Sequence, residues 1–181
     1  LEMAMIQARH LGRSCAQAPG DARKFKAIQG LIFAAICLPG AEPMLESSLD
    51  LLGKEIRAQI FPDGGHRERN PSRLLDVLSR FNQIRALLLD AHEEVPLDLQ
   101  GAIDRVTPML RALRHGDGGL ALFNGGFEED RTLIDTVLAG TGVRGKALTS
   151  APHSGFQRLA SGRTVIIADT GKPQLSDARC A

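Results

Sequence analysis

Apolar side chains recur at helical spacing on both sides of one short charged loop, and no other feature of the sequence constrains the fold as strongly. The repeat runs through residues 45–60 before the loop and through residues 74–88 after it. Apolar residues three or four positions apart form one face of an α-helix. The sequence therefore predicts two amphipathic helices that hold the loop, residues 63–71, between them.

Proline and glycine divide the rest of the first part of the chain into further stretches of the same kind. Short connections between such stretches favour antiparallel helical hairpins. Asn70 and Pro71 are typical of an N-cap and a first helical residue. The predicted helices are Met3–Cys15, Asp21–Leu38, Pro43–Phe61, Pro71–His92, Leu97–Arg114 and Glu129–Ala139.

The tripeptide Asp-Gly-Gly occurs at Asp63 and again at Asp117, each time just after a long helix. Glycine adopts backbone angles that other residues avoid, so the chain can turn sharply at both places. We interpret the two copies as an internal repeat of a helix followed by a turn.

The sequence pattern changes after about Lys146. The stretches Phe156–Leu159 and Thr164–Ile167 flank residues 160–163 and predict a β-hairpin. Because a two-stranded ribbon is marginally stable alone, we expect it to belong to a larger sheet. The fold class predicted is mainly α with a β appendage, with a helical domain at 1–145 and the truncated start of a β domain at 146–181.

Composition and cysteine spacing exclude several classes of function. With 22 basic and 21 acidic residues the net charge is +1, which argues against a nucleic-acid partner. No apolar run is long enough to cross a bilayer. Cys15, Cys37 and Cys180 are far apart and odd in number, and no histidines are paired at helical metal-site spacing, so we predict no metal and no cofactor. The start at Leu1 without an initiator methionine suggests a piece of a longer protein.

Four stretches carry a family resemblance: QIFPDGGHRERNP at 59–71, AIDRVTPMLR at 102–111, HGDG with ALFNG within 115–125, and APHSGFQRL at 151–159. In this order they resemble the heparinase II/III-like polysaccharide lyase family. The resemblance implies helical hairpins of an incomplete (α/α) toroid, followed by an antiparallel β-sandwich, with a sugar-chain cleft at the junction. It also implies a periplasmic protein, with the cytoplasm as the alternative because this stretch contains no targeting signal.

The activity that the resemblance implies is β-elimination of an acidic, uronate-containing polysaccharide of the heparin/heparan or alginate kind. This reaction needs a group that neutralises the carboxylate, a base for the C5 proton and an acid for the leaving oxygen. The catalytic candidates are His66, Glu68, His115 and His153, and the substrate-binding candidates are Arg67, Asn124 and Arg158.

The roles follow from residue type and position. His66 would act as the base or as the carboxylate neutraliser, and Glu68 would orient it. Asn124 or Arg158 would polarise the carboxylate. The proton for the leaving oxygen would come from one of the other two histidine candidates.

Each candidate also has a structural interpretation. His66 and Glu68 can belong to a solvated turn with helix-capping charges. His115 can interact with a helix C-terminus, and Asn124 can occupy an ordinary turn. His153 can be a linker histidine that bonds to the backbone.

The sequence departs from the lyase pattern in one respect that bears on function. Lyases of this family typically use a tyrosine as base or acid, and this chain has none. Residues 72–74 stand at its usual place, and residues 176–180 lack the usual histidine of the β domain. Catalysis by this stretch alone is not expected, and the alternative function is a non-catalytic helical scaffold that binds glycan or protein. A solenoid adaptor is disfavoured because the hairpins lack a strict sequence period.

Overall fold

The chain is mainly helical with a small antiparallel sheet, as predicted, in a computed structural model that describes residues 2–15 and 17–172. The helices are α1 Glu2–Cys15, α2 Ala22–Cys37, α3 Met44–Gln59, α4 Pro71–Asp90, α5 Leu97–Ala112 and α6 Arg131–Gly140. The strands are β1 Ser150–Ala151, β2 Phe156–Ser161 and β3 Thr164–Asp169, in the order β1-β2-β3. The predicted helix ends differ from these by at most a couple of residues.

The helices stack in two layers. In one layer α2 packs against α4 and α4 packs against α6, while in the other α3 packs against α5. Consecutive helices also pack together, in the pairs α1 with α2, α2 with α3, and α4 with α5. Helices joined by short connections and packed side by side favour hairpins, so these contacts agree with the predicted arrangement.

Aromatic and branched side chains fill the space between the layers. Phe25 and Phe81 are fully buried and meet edge to face, with ring centroids 5.1 Å apart. Ile28, Ile84 and Ile103 are also fully enclosed. Each such side chain stabilises the fold by roughly 1.5–3 kcal/mol through the apolar surface it removes from water. This core holds the helix ends from which the two Asp-Gly-Gly turns emerge at fixed positions.

The N-terminus of α4 has the predicted cap. The Asn70 side chain accepts a hydrogen bond of 3.0 Å from the Arg73 backbone N–H, and Pro71 occupies the first turn. An N-cap of this kind stabilises a helix by about 1 kcal/mol. The charged loop therefore ends at a well-defined point against the helical layers.

The predicted hairpin is formed by β2 and β3, and its turn is shorter than the expected residues 160–163. Ser161 pairs with Thr164, so only Gly162 and Arg163 form the turn, and Gly162 has a φ of +55°. The short strand β1 was not predicted, because two residues carry no readable alternation. It pairs with the start of β2 and completes a three-stranded sheet.

The connection between Gly140 and Ser150 separates the helices from the sheet. The predicted domain boundary at 145/146 falls within this connection and stays a prediction. Residues 173–181, including Cys180 and the histidine-free stretch 176–180, lie outside the described residues. No helix within the described ranges combines the length and the hydropathy needed to cross a membrane.

Candidate functional site

The two Asp-Gly-Gly copies form turns of the same geometry. Gly65 donates its backbone N–H to the Asp63 carboxylate over 3.0 Å, and Gly119 donates to the Asp117 carboxylate over the same 3.0 Å. Each turn is closed by an isolated antiparallel bridge. The middle glycines have positive φ angles of +83° and +90°. The sequence repeat therefore corresponds to a repeated structure at the ends of α3 and α5.

The two repeated aspartates have different partners. The second carboxylate oxygen of Asp63 accepts hydrogen bonds from the backbone N–H groups of His153 and Ser154, at 2.8 and 2.7 Å, and one from the Ser154 hydroxyl at 3.1 Å. The equivalent oxygen of Asp117 forms an exposed ion pair with Arg131. Asp63 therefore fastens the segment between β1 and β2 to the helical part, and Asp117 does not.

His66 lies inside the protein, with 1% of its surface exposed. Its Nδ1 accepts a hydrogen bond of 3.2 Å from the Glu68 backbone N–H, which leaves the proton on Nε2. Nε2 donates to the Gln59 side-chain oxygen over 2.9 Å. The imidazole also meets the Phe25 ring edge to face. Both ring nitrogens are thus occupied by protein groups.

The contacts of His66 continue through a series of linked polar side chains on α2 and α3. The Gln59 amide donates to the Glu55 carboxylate over 2.7 Å, and the other Glu55 oxygen pairs with the Lys24 ammonium at 2.8 Å. Lys24 is itself buried. A buried charge is stable only when it is paired and hydrogen-bonded. These linked side chains therefore support the packing of α2 on α3.

Burial lowers the pKa of His66 from 6.5 to about 4 because the charged imidazolium cannot be hydrated there. The nearby Glu68 carboxylate opposes this shift, and Arg67 adds to it. At neutral pH the imidazole is therefore uncharged. It is enclosed and bonded on both nitrogens, which leaves neither nitrogen free for a substrate in this arrangement.

The neighbours of His66 in the loop contact different parts of the protein. The Glu68 carboxylate accepts the backbone N–H of Ala22 at 2.9 Å and so caps the start of α2. Arg67 is exposed. Arg69 is buried, forms an ion pair with the Asp169 carboxylate at the end of β3, and lies 5.8 Å from the centre of the Phe156 ring. The loop thus contacts both α2 and the sheet.

Asn124 exchanges hydrogen bonds with Arg69 and Asn70 at the end of the charged loop. Its amide donates to the Arg69 carbonyl over 2.8 Å, and the Asn70 amide donates to the Asn124 carbonyl over 2.9 Å. Asn124 also donates to the Asp169 carboxylate over 3.1 Å. With φ angles of +52° and +50°, Arg69 and Asn124 both occupy the left-handed region, which allows the two turns to interlock.

Arg158 joins the sheet to the end of α5. Its guanidinium donates to the carbonyl oxygens of Ala112, at 2.9 Å, and of Arg114. These carbonyls have no partner within the helix at its C-terminus, and a cation there is favourable. The contact is therefore a helix cap that also positions β2.

Of the predicted site residues, His115 and Arg158 line one open pocket, and His66 is not part of its lining. His115 and His153 are exposed on the surface, whereas His66 is enclosed. Within the described residues, none of these three imidazoles is hydrogen-bonded to another. Asn124 and Arg158 lie at the junction between helices and sheet, in contacts with the protein's own backbone. Any ligand-binding role for the seven candidates stays a prediction.

Sequence reasoning missed the residues that hold this junction together. Asp63 belongs to a motif of the sequence, but sequence reasoning assigns it no role of its own. The repeat of Asp-Gly-Gly predicts a turn at Asp63, but it does not indicate the partners of this carboxylate in the segment between β1 and β2. No sequence signal identified the junction role of Arg69, since its partner Asp169 is far away in the chain.

A separate surface feature lies on the outer side of the α2, α4 and α6 layer. It is an open groove of about 510 Å³. We call it the basic–apolar groove and define it by Arg23, Lys26, Arg73, Arg80, Phe127 and Leu133. Four of these side chains are cationic and two are apolar, so the groove offers charge and hydrophobic surface together.

Comparison with known proteins gives one informative similarity. No protein-family model matches this chain, and no solved structure matches it. The chain is similar to FtsZ-localized protein C of Caulobacter vibrioides (strain NA1000 / CB15N), with 30% identity over 167 residues. The match covers 92% of this chain and 29% of the relative, so the chain spans less than a third of that protein's length.

This comparison corrects the family resemblance. The interpretation as a heparinase II/III-like polysaccharide lyase is wrong, because no lyase family model matches and the relative is named for FtsZ. The predicted β-elimination of heparin/heparan- or alginate-like polysaccharide is wrong with it, as are the glycosaminoglycan and periplasmic descriptions. The physical reason is that the matching motifs supply turns, caps and the junction with the sheet. The alternative, a non-catalytic scaffold for protein interaction, agrees better with the relative found.

Proposed function

We propose that this chain is a protein-binding part of a larger protein that localises to FtsZ, and that it binds without catalysing a reaction. The observation that carries the proposal is the enclosure of His66, whose two ring nitrogens bond to Gln59 and to the Glu68 backbone. A general base must reach its substrate, and this imidazole is enclosed and bonded to the protein on both nitrogens. The relative's name, FtsZ-localized protein C, supplies the partner.

The proposal has consequences for compartment and architecture. A protein localised to FtsZ works in the cytoplasm, so we prefer the cytoplasmic alternative to the periplasm. We retain the division into a helical domain at 1–145 and the start of a β domain at 146–181. We also retain, as proposals, an incomplete toroid for the helical hairpins and a β-sandwich that completes the small sheet. The two helical layers and the antiparallel sheet support this arrangement.

Fluorescence microscopy tests the proposal in the cells from which the sequence comes. The full-length protein carries one fluorescent label and FtsZ carries another. We expect the two signals to coincide, and we expect deletion of residues 1–172 to disperse the protein while its abundance on a blot stays the same. The proposal fails if the full-length protein does not follow FtsZ, or if the deletion variant follows it as closely as the intact protein.

A further inference from the structure

The basic–apolar groove has a floor and two walls from different helices. α4 provides the floor, with Arg73 and Arg80 on the same face. The first turns of α2 provide one wall, with Arg23 and Lys26. The other wall, which we call the apolar wall, is formed by Phe127 in the segment before α6 and by Leu133 in α6. Because the helices pack through the core, the groove is formed before any partner arrives.

The cations of the groove are only partly neutralised by the protein itself. Arg23 pairs with Asp21 at 2.6 Å, and Arg80 pairs with Asp76 at 2.7 Å. Lys26 and Arg73 are exposed and form no ion pair with any described residue. Two acidic residues, Asp76 and Glu129, also line the groove. The two free cations therefore favour a partner that brings carboxylates.

The apolar wall is held in place although it faces water. Phe127 is 61% exposed and Leu133 is 44% exposed. The Ser72 hydroxyl donates to the Phe127 carbonyl at 3.2 Å and accepts the Phe127 backbone N–H at 3.1 Å. These two hydrogen bonds to α4 fix the backbone of the exposed Phe127. Binding there loses little backbone entropy at this residue, and aromatic side chains are frequent anchors of interfaces.

We infer that the basic–apolar groove binds a peptide segment of a partner protein that carries acidic side chains next to leucine, isoleucine or phenylalanine side chains. The inference rests on the proposal that this chain is a binding part of a larger protein. The cations would pair with the acidic side chains, and the apolar wall would pack against the others. A volume of about 510 Å³ is that of a concave ligand site, which a peptide can fill and a flat bilayer surface cannot.

Peptide selection on the immobilised full-length protein tests the inference. A library of random peptides is displayed on phage, and the enriched sequences are labelled and titrated by fluorescence anisotropy. We expect enrichment of aspartate or glutamate beside leucine, isoleucine or phenylalanine. Salt should weaken the binding, because paired surface charges are screened.

Two groove variants and two controls locate the binding. The Lys26→Glu/Arg73→Glu variant reverses the free cations, and both changes place a carboxylate near a helix N-terminus, where it is tolerated. The Phe127→Ala/Leu133→Ala variant removes the apolar wall. The matched controls, Arg144→Glu/Arg163→Glu and Leu159→Ala, change exposed residues elsewhere. We expect each groove variant to raise the Kd of an enriched peptide about tenfold or more, and the controls to leave it unchanged.

Three results would overturn the inference. The first is enrichment without acidic residues, and the second is equal affinity of the groove variants and the intact protein. The third is binding to phosphatidylglycerol vesicles that depends on Lys26 and Arg73 while no acidic peptide is enriched. Because the selection contains no FtsZ, failure of the groove and failure of FtsZ localisation are separate observations.

Discussion

The imidazole of His66 illustrates how one buried polar residue can stabilise a loop. The Gln59 side-chain oxygen accepts a hydrogen bond from Nε2, and the Glu68 backbone N–H donates one to Nδ1. Enclosure among helices excludes water from the ring, so protonation would leave a buried charge without hydration. The ring therefore stabilises the loop only while it is neutral.

This dependence predicts that acid destabilises the protein through His66. The unfolded chain binds the proton at a pKa of about 6.5, whereas the folded protein binds it only at about 4. The stabilisation is complete above pH 6.5 and is lost as the pH falls towards 4, by on the order of 3 kcal/mol. Urea unfolding as a function of pH, on the intact protein and on His66→Gln, measures it.

The comparison between the two proteins isolates the contribution of this imidazole. Glutamine does not titrate, so the difference in the free energy of unfolding between intact protein and variant should shrink as the pH falls. Other carboxylates titrate in both proteins and cancel. Curves that stay parallel from pH 7 to pH 4 would show that His66 is not buried as described.

The two Asp-Gly-Gly turns have the same backbone geometry, but the space around the middle glycine differs between them. An added Cβ on Gly64 would lie 2.1 Å from the Arg105 carbonyl oxygen. On Gly118 its nearest neighbour would be the movable end of Arg114, at 3.0 Å. Both positions have a positive φ, so both substitutions are strained, but only one also meets a fixed backbone.

We therefore expect Gly64→Ala to be much more destabilising than Gly118→Ala. The backbone strain alone costs about 1–2 kcal/mol, and the clash at Gly64 adds roughly 1–3 kcal/mol because the α5 backbone must move. Thermal unfolding of the two variants, each the control for the other, measures the difference. Equal losses would mean that the first turn does not pack against α5.

The aspartates of the same turns provide a second matched pair. Asp63→Ala leaves the backbone N–H groups of His153 and Ser154 without their acceptor, whereas Asp117→Ala removes an exposed ion pair. We expect a loss of about 2–3 kcal/mol for Asp63→Ala and less than about 1 kcal/mol for Asp117→Ala. Hydrogen exchange should also become faster in residues 151–156 of the first variant only. Protection there that survives Asp63→Ala would contradict a fastening role.

The helices could be predicted from the sequence, and the junction could not. Apolar periodicity and the Asn70–Pro71 cap are local signals, so they identified α3 and α4 almost to the residue. The hairpin was predicted for the same reason. The partner of Asp63 lies 90 positions further along the chain, and no local pattern identifies such a contact. For this reason the motif around His66 was interpreted as a reactive loop.

In the whole molecule, two of the candidate residues, Asn124 and Arg158, join the helical layers to the sheet together with Asp63 and Arg69, which sequence reasoning missed. Asp63 holds the segment before β2, Arg69 and Asn124 bond to Asp169 at the end of β3, and Arg158 caps α5. Side chains of the same types serve catalysis in other proteins, so residue type and order alone suggested a lyase. Their partners here are backbone groups and other side chains of the chain itself. The basic–apolar groove, in contrast, keeps cationic and apolar side chains exposed to solvent, where the proposed peptide can contact them.

Co-sedimentation with FtsZ polymers tests most directly whether the protein binds without using its three candidate histidines. The full-length protein is compared with His66→Gln/His115→Ala/His153→Ala, and circular dichroism confirms that the variant is folded. We predict that both proteins enter the pellet with polymerised FtsZ to the same extent and stay in the supernatant without it. Intact protein that remains in the supernatant with polymers, or a folded variant that no longer pellets, would contradict the account.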